Sequence, residues 1–468
     1  MKNNIRLILV VLLPLLMFFG CKERTDLTGP KPESGQADFS TFVSIGNSLT
    51  AGYESSALFE SAQMYSFGSL ISQQVNTPFV QPVISDPGIG GQIQIVSLDP
   101  FVTTQVQSQG TLTNPGYAKP YNNLGIPGIV LADIMGATST QNSYSNSPFI
   151  DIVLRGQGSV FTQAQALDPT MVTLWIGNND VLGFATSGGY SPKAPTPSQT
   201  FGYLYNQLAD GLAATGAKVV AANIPDVTTI PFFTTVGPQF AQKVQGAVPG
   251  FYYQKHDEFT GTVAPLSQLT DYSILFTLVA QPYLAYFGHA SGKFYKDHNA
   301  DISILIALGI LDTNQAFGSE KNPIPDALVL DNSEIQTAIQ STAAFNAAIS
   351  AAVNKYPSQF ALVDINALLN RIRASDASGG TEFGGIQFST MFVTGGLFSL
   401  DGVHPTAQGY AIIANEFLKA INSKFNADYS LVDISTIPGT LSFAKAAHFN
   451  LFSDGVYLDP AAYENVLF

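Results

Sequence analysis

A chain of 468 residues, 46% hydrophobic and 12% charged with 41 Gly and 27 Pro, has the composition of a large globular body and lacks the charge density of a disordered one. Its formal net charge is −14 and no cluster of Lys and Arg interrupts that balance. This argues against nucleic acid as a partner, because such binding rests on cations neutralising phosphates. Length alone allows two or three domains, although α/β enzymes with long insertions reach this size as one.

At the N-terminus, Lys2 and Arg6 precede an apolar run from Leu7 to Gly20 that contains Pro14. The run is too short to span a bilayer comfortably and reads as the core of a signal peptide. It ends at Phe18-Phe19-Gly20-Cys21, which resembles a bacterial lipobox: a small residue allows cleavage, and the thiol that follows takes the lipid. A lone cysteine is ordinarily a buried small hydrophobe, but Cys21, the only one in the chain, stands where lipidation needs it. With Cys21 lipidated, the mature body has neither free thiol nor disulfide, which rules out a cysteine nucleophile and a Cys-based zinc site. Residues 22–37, with Pro30, Pro32, Ser34 and Gly35, read as a flexible tether. The expectation is an exported lipoprotein anchored in the cell envelope, at the outer membrane or the cell surface.

Beyond the tether, short apolar runs alternate with helical patterns. Ser40–Ile45 is a strand candidate that stops at Gly46, and Met171–Ile176 stops the same way at Gly177. Ala217–Ala222 and Phe360–Ile365 are two more. Gln199–Ala214 reads as an amphipathic helix, and Asn332–Lys355 as a longer one with Asn332 as its cap and Glu334 in its first turn. Thr406–Phe425 supplies a third, with Pro405 just before it. Strands alternating with helices imply a parallel sheet covered on both faces, whose ligands bind beyond the carboxyl ends of the strands. Two stretches interrupt the alternation, a polar one at about 79–119 and an aromatic-rich one at about 225–325. The second reads either as further buried helices packed on the sheet or as a cap forming an apolar cleft for an acyl or aryl group. The segment 426–468 is a C-terminal extension with some aromatic content and no other signal.

Four short segments carry the chemistry. In Phe42-Val43-Ser44-Ile45-Gly46-Asn47-Ser48-Leu49 a strand runs into a tight turn that exposes a serine hydroxyl and a backbone N–H above the sheet. Alone, this is as well read as a structural turn. Asn123-Leu124-Gly125-Ile126-Pro127-Gly128 and Trp175-Ile176-Gly177-Asn178-Asn179-Asp180 offer glycine N–H groups and an Asn amide, the kind of donors that stabilise an oxyanion. Each alone is as well explained by an ordinary turn or a helix cap. In Ser399-Leu400-Asp401-Gly402-Val403-His404-Pro405 a carboxylate stands three residues before an imidazole. A serine hydroxyl needs such an imidazole to take its proton, and the imidazole needs an acceptor on its other nitrogen to hold the right tautomer. Of the five histidines, only His404 has an Asp at that offset.

In this order, the four segments resemble the signature blocks of the SGNH (GDSL-like) hydrolases, whose name lists the Ser, Gly, Asn and His they share. The resemblance implies a flavodoxin-like three-layer α/β/α fold with a central parallel sheet over 38–425, to which the two insertions are added, the second largely helical. It implies Ser48 as nucleophile, His404 as general base and Asp401 as its orienting acid. The Ser48 N–H, Gly128 and Asn179 are the implied oxyanion donors. Gly128 is taken over Gly125 on the family's spacing from the block's Asn, and either N–H could face the site. Asn47 stands where the family most often has Asp, which predicts a local change in hydrogen bonding without loss of activity.

The implied reaction is hydrolysis of a carboxylic ester through an acyl-serine, with no metal and no cofactor. The aromatic-rich insertion suggests apolar acyl or lipid esters; removal of acetyl groups from polysaccharide is the alternative. A rival of another class is a surface lipoprotein that binds glycans with a vestigial triad. Trp175 is the only tryptophan to build such a platform, and its place in a strand argues that it is buried.

Overall fold

The computed structural model of the chain describes residues 33–98, 101–256, 258–439 and 456–457. The signal segment, Cys21, most of the tether and most of the C-terminal extension lie outside these residues.

Five strands form one parallel sheet: β1 (Phe42–Gly46), β4 (Asn123–Gly125), β5 (Met171–Trp175), β6 (Lys218–Ala222) and β11 (Phe360–Val363), in the order β11-β6-β5-β1-β4. β1 and β5 are buried at every residue, as parallel strands covered on both faces must be. Between β1 and β4 lie a helix α1 (Ser48–Ala51), a helix α2 (Phe67–Val75) and an antiparallel hairpin of β2 (Ile93–Leu98) and β3 (Phe101–Gln105), which occupies the polar stretch of 79–119. Further helices are α3 (Leu131–Gly136), α4 (Asn179–Thr186), α5 (Ser198–Ala214), α6 (Asn332–Lys355), α7 (Ile365–Ala374) and α8 (Ala407–Phe425).

The architecture is a three-layer α/β/α sandwich, as the resemblance implies. α2 and α8 pack together on one face of the sheet, where Phe67 and Phe417 stack with centroids 4.8 Å apart. α5 and α6 pack together on the other, where Phe201 and Phe345 stack at 4.0 Å. Such ring pairs each contribute about 0.5–1.5 kcal/mol beyond their area burial. The cap of α6 is Asp331 and not Asn332. Its carboxylate accepts from the N–H of Ser333 (2.7 Å) and Glu334 (3.1 Å), and Glu334 accepts in return from the Asp331 N–H at 2.6 Å. Two adjacent cap-forming residues compete for this place, and the one three residues before a Glu completes the reciprocal box.

The stretch 225–325 differs from the largely helical insertion expected. It contains a hairpin of β7 (Gly250–Gln254) and β8 (Gly261–Pro265), a strand β9 (Leu275–Phe276) that pairs with β10 (Val329–Leu330), and helices of four to nine residues. Phe232, Phe233, Phe251 and Phe276 are buried in a core continuous with that of the sheet. The apolar run Ile302–Leu311 is not a buried helix: only Ser303–Ala307 is helical, and Ile304, Ile306 and Leu308 are exposed. Apolar content without a sustained 3.6-residue period identifies neither a helix nor its burial.

Candidate active site

The strand registers bring three of the sequence segments together. Gly46 is level with Trp175 on one side and with Gly125 on the other, so the turns leaving β1, β4 and β5 start side by side at the carboxyl edge of the sheet. A Cβ on Gly46 would lie 2.3 Å from the carbonyl oxygen of Trp175, which is why the strand ends in glycine. Asn47 then caps α1, its side-chain oxygen accepting from the Leu49 N–H at 3.1 Å, and Ser48 opens the helix. The fourth segment arrives at the N-terminus of α8, where Thr406 is the cap and accepts from the Gly409 N–H at 3.0 Å.

Ser48 Oγ and His404 Nε2 lie 2.9 Å apart, and His404 Nδ1 and Asp401 Oδ2 also lie 2.9 Å apart. Both Ser48 and His404 keep a small exposed fraction, whereas Asp401 is fully buried. The Asp401 carboxylate is saturated with donors. Oδ1 accepts from the N–H of His404 (2.8 Å) and Val403 (2.9 Å) and from the Ser399 hydroxyl (3.2 Å), and Oδ2 accepts from the Ser56 N–H at 2.9 Å. Burial pushes this carboxyl up, but the His404 charge and these hydrogen bonds outweigh it and hold it below the ordinary value of 3.8. An imidazole gripped on Nδ1 by a fixed anion presents Nε2 as the acceptor for the Ser48 hydroxyl proton.

A small cleft opens beside these groups, lined by Gly128, Asn179, Tyr53 and one face of α4 as well as by Ser48 and His404. The Asn179 amide donates to the Ile129 carbonyl at 2.9 Å, which fixes the side chain with one N–H to spare. Gly128 has φ +82°, a left-handed turn that suits glycine. The N–H of Gly125 is already committed to Asn123 Oδ1 at 2.9 Å, so of the two glycines it is Gly128 that borders the cleft.

The sequence model of the GDSL-like Lipase/Acylhydrolase family matches residues 42–417, most of the chain. The chain belongs to this family. No curated protein and no solved structure matches it. GDSL-like acylhydrolases act on esters, and in that general sense this member is an ester hydrolase.

Three positions at this GDSL-like site carried no signal of their own in the sequence. The Tyr53 ring lies 4.8 Å from the His404 ring, centroid to centroid, with its hydroxyl donating to the Ser56 carbonyl at 2.7 Å. Burial, followed by the Asp401 charge, raises its phenol well above 10. Ser56, held at φ +63°, supplies the backbone donor to Asp401. Asp180, next to Asn179, accepts from the Leu131 N–H (2.9 Å) and the Thr196 hydroxyl (2.7 Å), tying the helix after Gly128 to the segment that carries Asn179. Burial pushes Asp180 up to about 6. Asn47 donates to Asn178 Oδ1 at 3.2 Å, a bond that an ionised Asp at 47 could not make.

Among the described residues, none of the insertion at 225–325 lines this cleft. Its Pro225 and Ile230 instead border a second, almost wholly apolar hollow of about 70 Å³, together with Leu49, Leu369, Val403 and Ile412.

Proposed function

We propose that this ester hydrolase is a serine esterase working through an acyl-serine intermediate. His404 takes the Ser48 proton as Oγ attacks the ester carbonyl carbon, while Asp401 holds the imidazole and steadies the imidazolium. The Ser48 N–H, the Gly128 N–H and the free Asn179 amide hydrogen receive the oxyanion. The C–O bond then breaks, His404 gives its proton to the leaving alcohol, and water repeats the sequence on the acyl-enzyme. The observation that carries this reading is the unbroken chain from Ser48 Oγ through His404 to Asp401, at 2.9 Å in both contacts. The test is Ser48→Ala, which is expected to abolish ester hydrolysis and fluorophosphonate labelling with the fold unchanged; labelling that persists removes Ser48 from this role.

Of the two acyl classes, the cleft supports the short one, because the aromatic insertion stays out of it. Acetyl esters, such as those on polysaccharide, are therefore favoured over lipid esters. The chain enters the body away from the cleft. The Gln36 N–H donates to the Phe425 carbonyl at 2.7 Å, and the Asp428 N–H to the Glu33 carbonyl at 2.8 Å, at the far end of α8. A helix of 19 residues is about 28 Å long, and its other end follows His404. With lipid on Cys21, the anchor joins the body at the pole opposite the cleft. Cys21→Ser is expected to move the protein to the soluble fraction with kcat/KM on a soluble ester unchanged; membrane retention of that variant would contradict the anchor.

A further inference from the structure

Asn179, Leu182, Gly183 and Thr186 all border the cleft, and they are spaced i, i+3, i+4 and i+7 along α4. They therefore form one face of a single helix, with the oxyanion donor at its first turn. The directions around a carbonyl carbon bound to Ser48 Oγ are then assigned by chemistry. Its oxygen points to Gly128 and Asn179. Its leaving oxygen lies beside His404 Nε2, which must protonate it. The acyl substituent is left with the remaining direction, along α4 past Asn179.

Space in that direction is small. The cleft volume is about 20 Å³, where one water needs roughly 10–15 Å³. A methyl group is close to a water in size and fits; a longer chain meets Leu182 and Thr186. Thr186 is buried and its hydroxyl donates to the Leu182 carbonyl at 2.9 Å, which holds the wall in place. Gly183, with no side chain, provides the opening. We propose that the α4 face of Leu182, Gly183 and Thr186 is the acyl-recognition wall of the enzyme and restricts it to acetyl-sized acyl groups. The assignment rests on the serine esterase reading.

The test is kcat/KM on p-nitrophenyl acetate, butyrate and octanoate for the wild type and for Leu182→Ala/Thr186→Ala, with thermal unfolding to verify folding. One excluded methylene changes kcat/KM by roughly tenfold or more. The wild type is expected to prefer acetate to butyrate by at least about that factor, and the double variant to raise butyrate relative to acetate by a similar one. Gly183→Ala, which fills the opening with a methyl in a helix-compatible way, is expected to lower acetate turnover about tenfold without loss of stability. A wild type that prefers octanoate, or a double variant that changes all three esters in parallel, overturns the wall; an octanoate preference would move the acyl chain to the apolar hollow at Leu49 and Val403. A wild type that hydrolyses none of the esters and takes no fluorophosphonate overturns the esterase reading itself, and the wall with it.

Discussion

Asp401→Asn removes one negative charge and almost no volume, yet the geometry makes it a severe change. Both oxygens of the native carboxylate face only donors, namely three backbone N–H groups, a serine hydroxyl and the imidazole Nδ1. An Asn amide nitrogen placed at the Oδ1 position confronts the N–H groups of Val403 and His404, which cannot turn. Placed at the Oδ2 position, it confronts the Ser56 N–H and drives the imidazole to accept on Nδ1. His404 then carries its proton on Nε2 and cannot receive one from Ser48. A buried donor left unpaired costs about 1–3 kcal/mol, so unfolding stability should fall by at least that much. A wrong tautomer in a triad of this type lowers kcat by about 10⁴. Steady-state kinetics on p-nitrophenyl acetate and thermal unfolding at pH 7 check both expectations. A variant within tenfold of wild-type kcat would refute the orienting role of Asp401.

Other substitutions probe the site from different sides. Asn179→Ala removes the proposed oxyanion donor and is expected to lower kcat by about 10²–10³, with KM for acetate little changed; a loss confined to KM would make Asn179 a binding group only. Asp180, raised to about 6 by burial, favours the folded state most when protonated. Its contribution is therefore complete below about 4 and is lost as pH rises through about 6, a difference of about 3 kcal/mol. Asp180→Asn should remove that slope, so urea unfolding from pH 4 to 8 should give curves for the two proteins that diverge by this amount; parallel curves would contradict it. Asn47→Asp sets an oxygen against Asn178 Oδ1, but the Asn178 amide can turn to donate instead. A stability loss of about 1 kcal/mol with kcat within tenfold is expected, and a collapse of kcat would show that the Asn pair holds Ser48 in place.

The parts legible in the sequence are those where one local pattern has one physical meaning. β1, β5, β6 and β11 announce themselves as short apolar runs, and Ile365, read as the end of the last, instead starts α7. β4 gave no such signal: Asn123-Leu124-Gly125 is three residues long and reads as a turn, yet its pairing with Ser44–Gly46 sets the turn that carries Gly128 beside the one that carries Ser48. His404 stood out through an acid three residues before it, an offset that one turn of backbone turns into a 2.9 Å contact. Tyr53, Ser56 and the Asn47–Asn178 bond depend on groups far apart in sequence, so local spacing could not reveal them. The insertion left two readings open because aromatic content shows that a segment buries surface but not where; Phe232, Phe233, Phe251 and Phe276 lie in the core, and α4 supplies one wall of the cleft.

The most direct measurement is mass spectrometry of the enzyme quenched during turnover of an ester. The acyl group is expected on the peptide containing Ser48, and both adduct and turnover are expected to vanish in Ser48→Ala. Turnover that continues with Ser48 unmodified, or that survives in Ser48→Ala, would contradict the account.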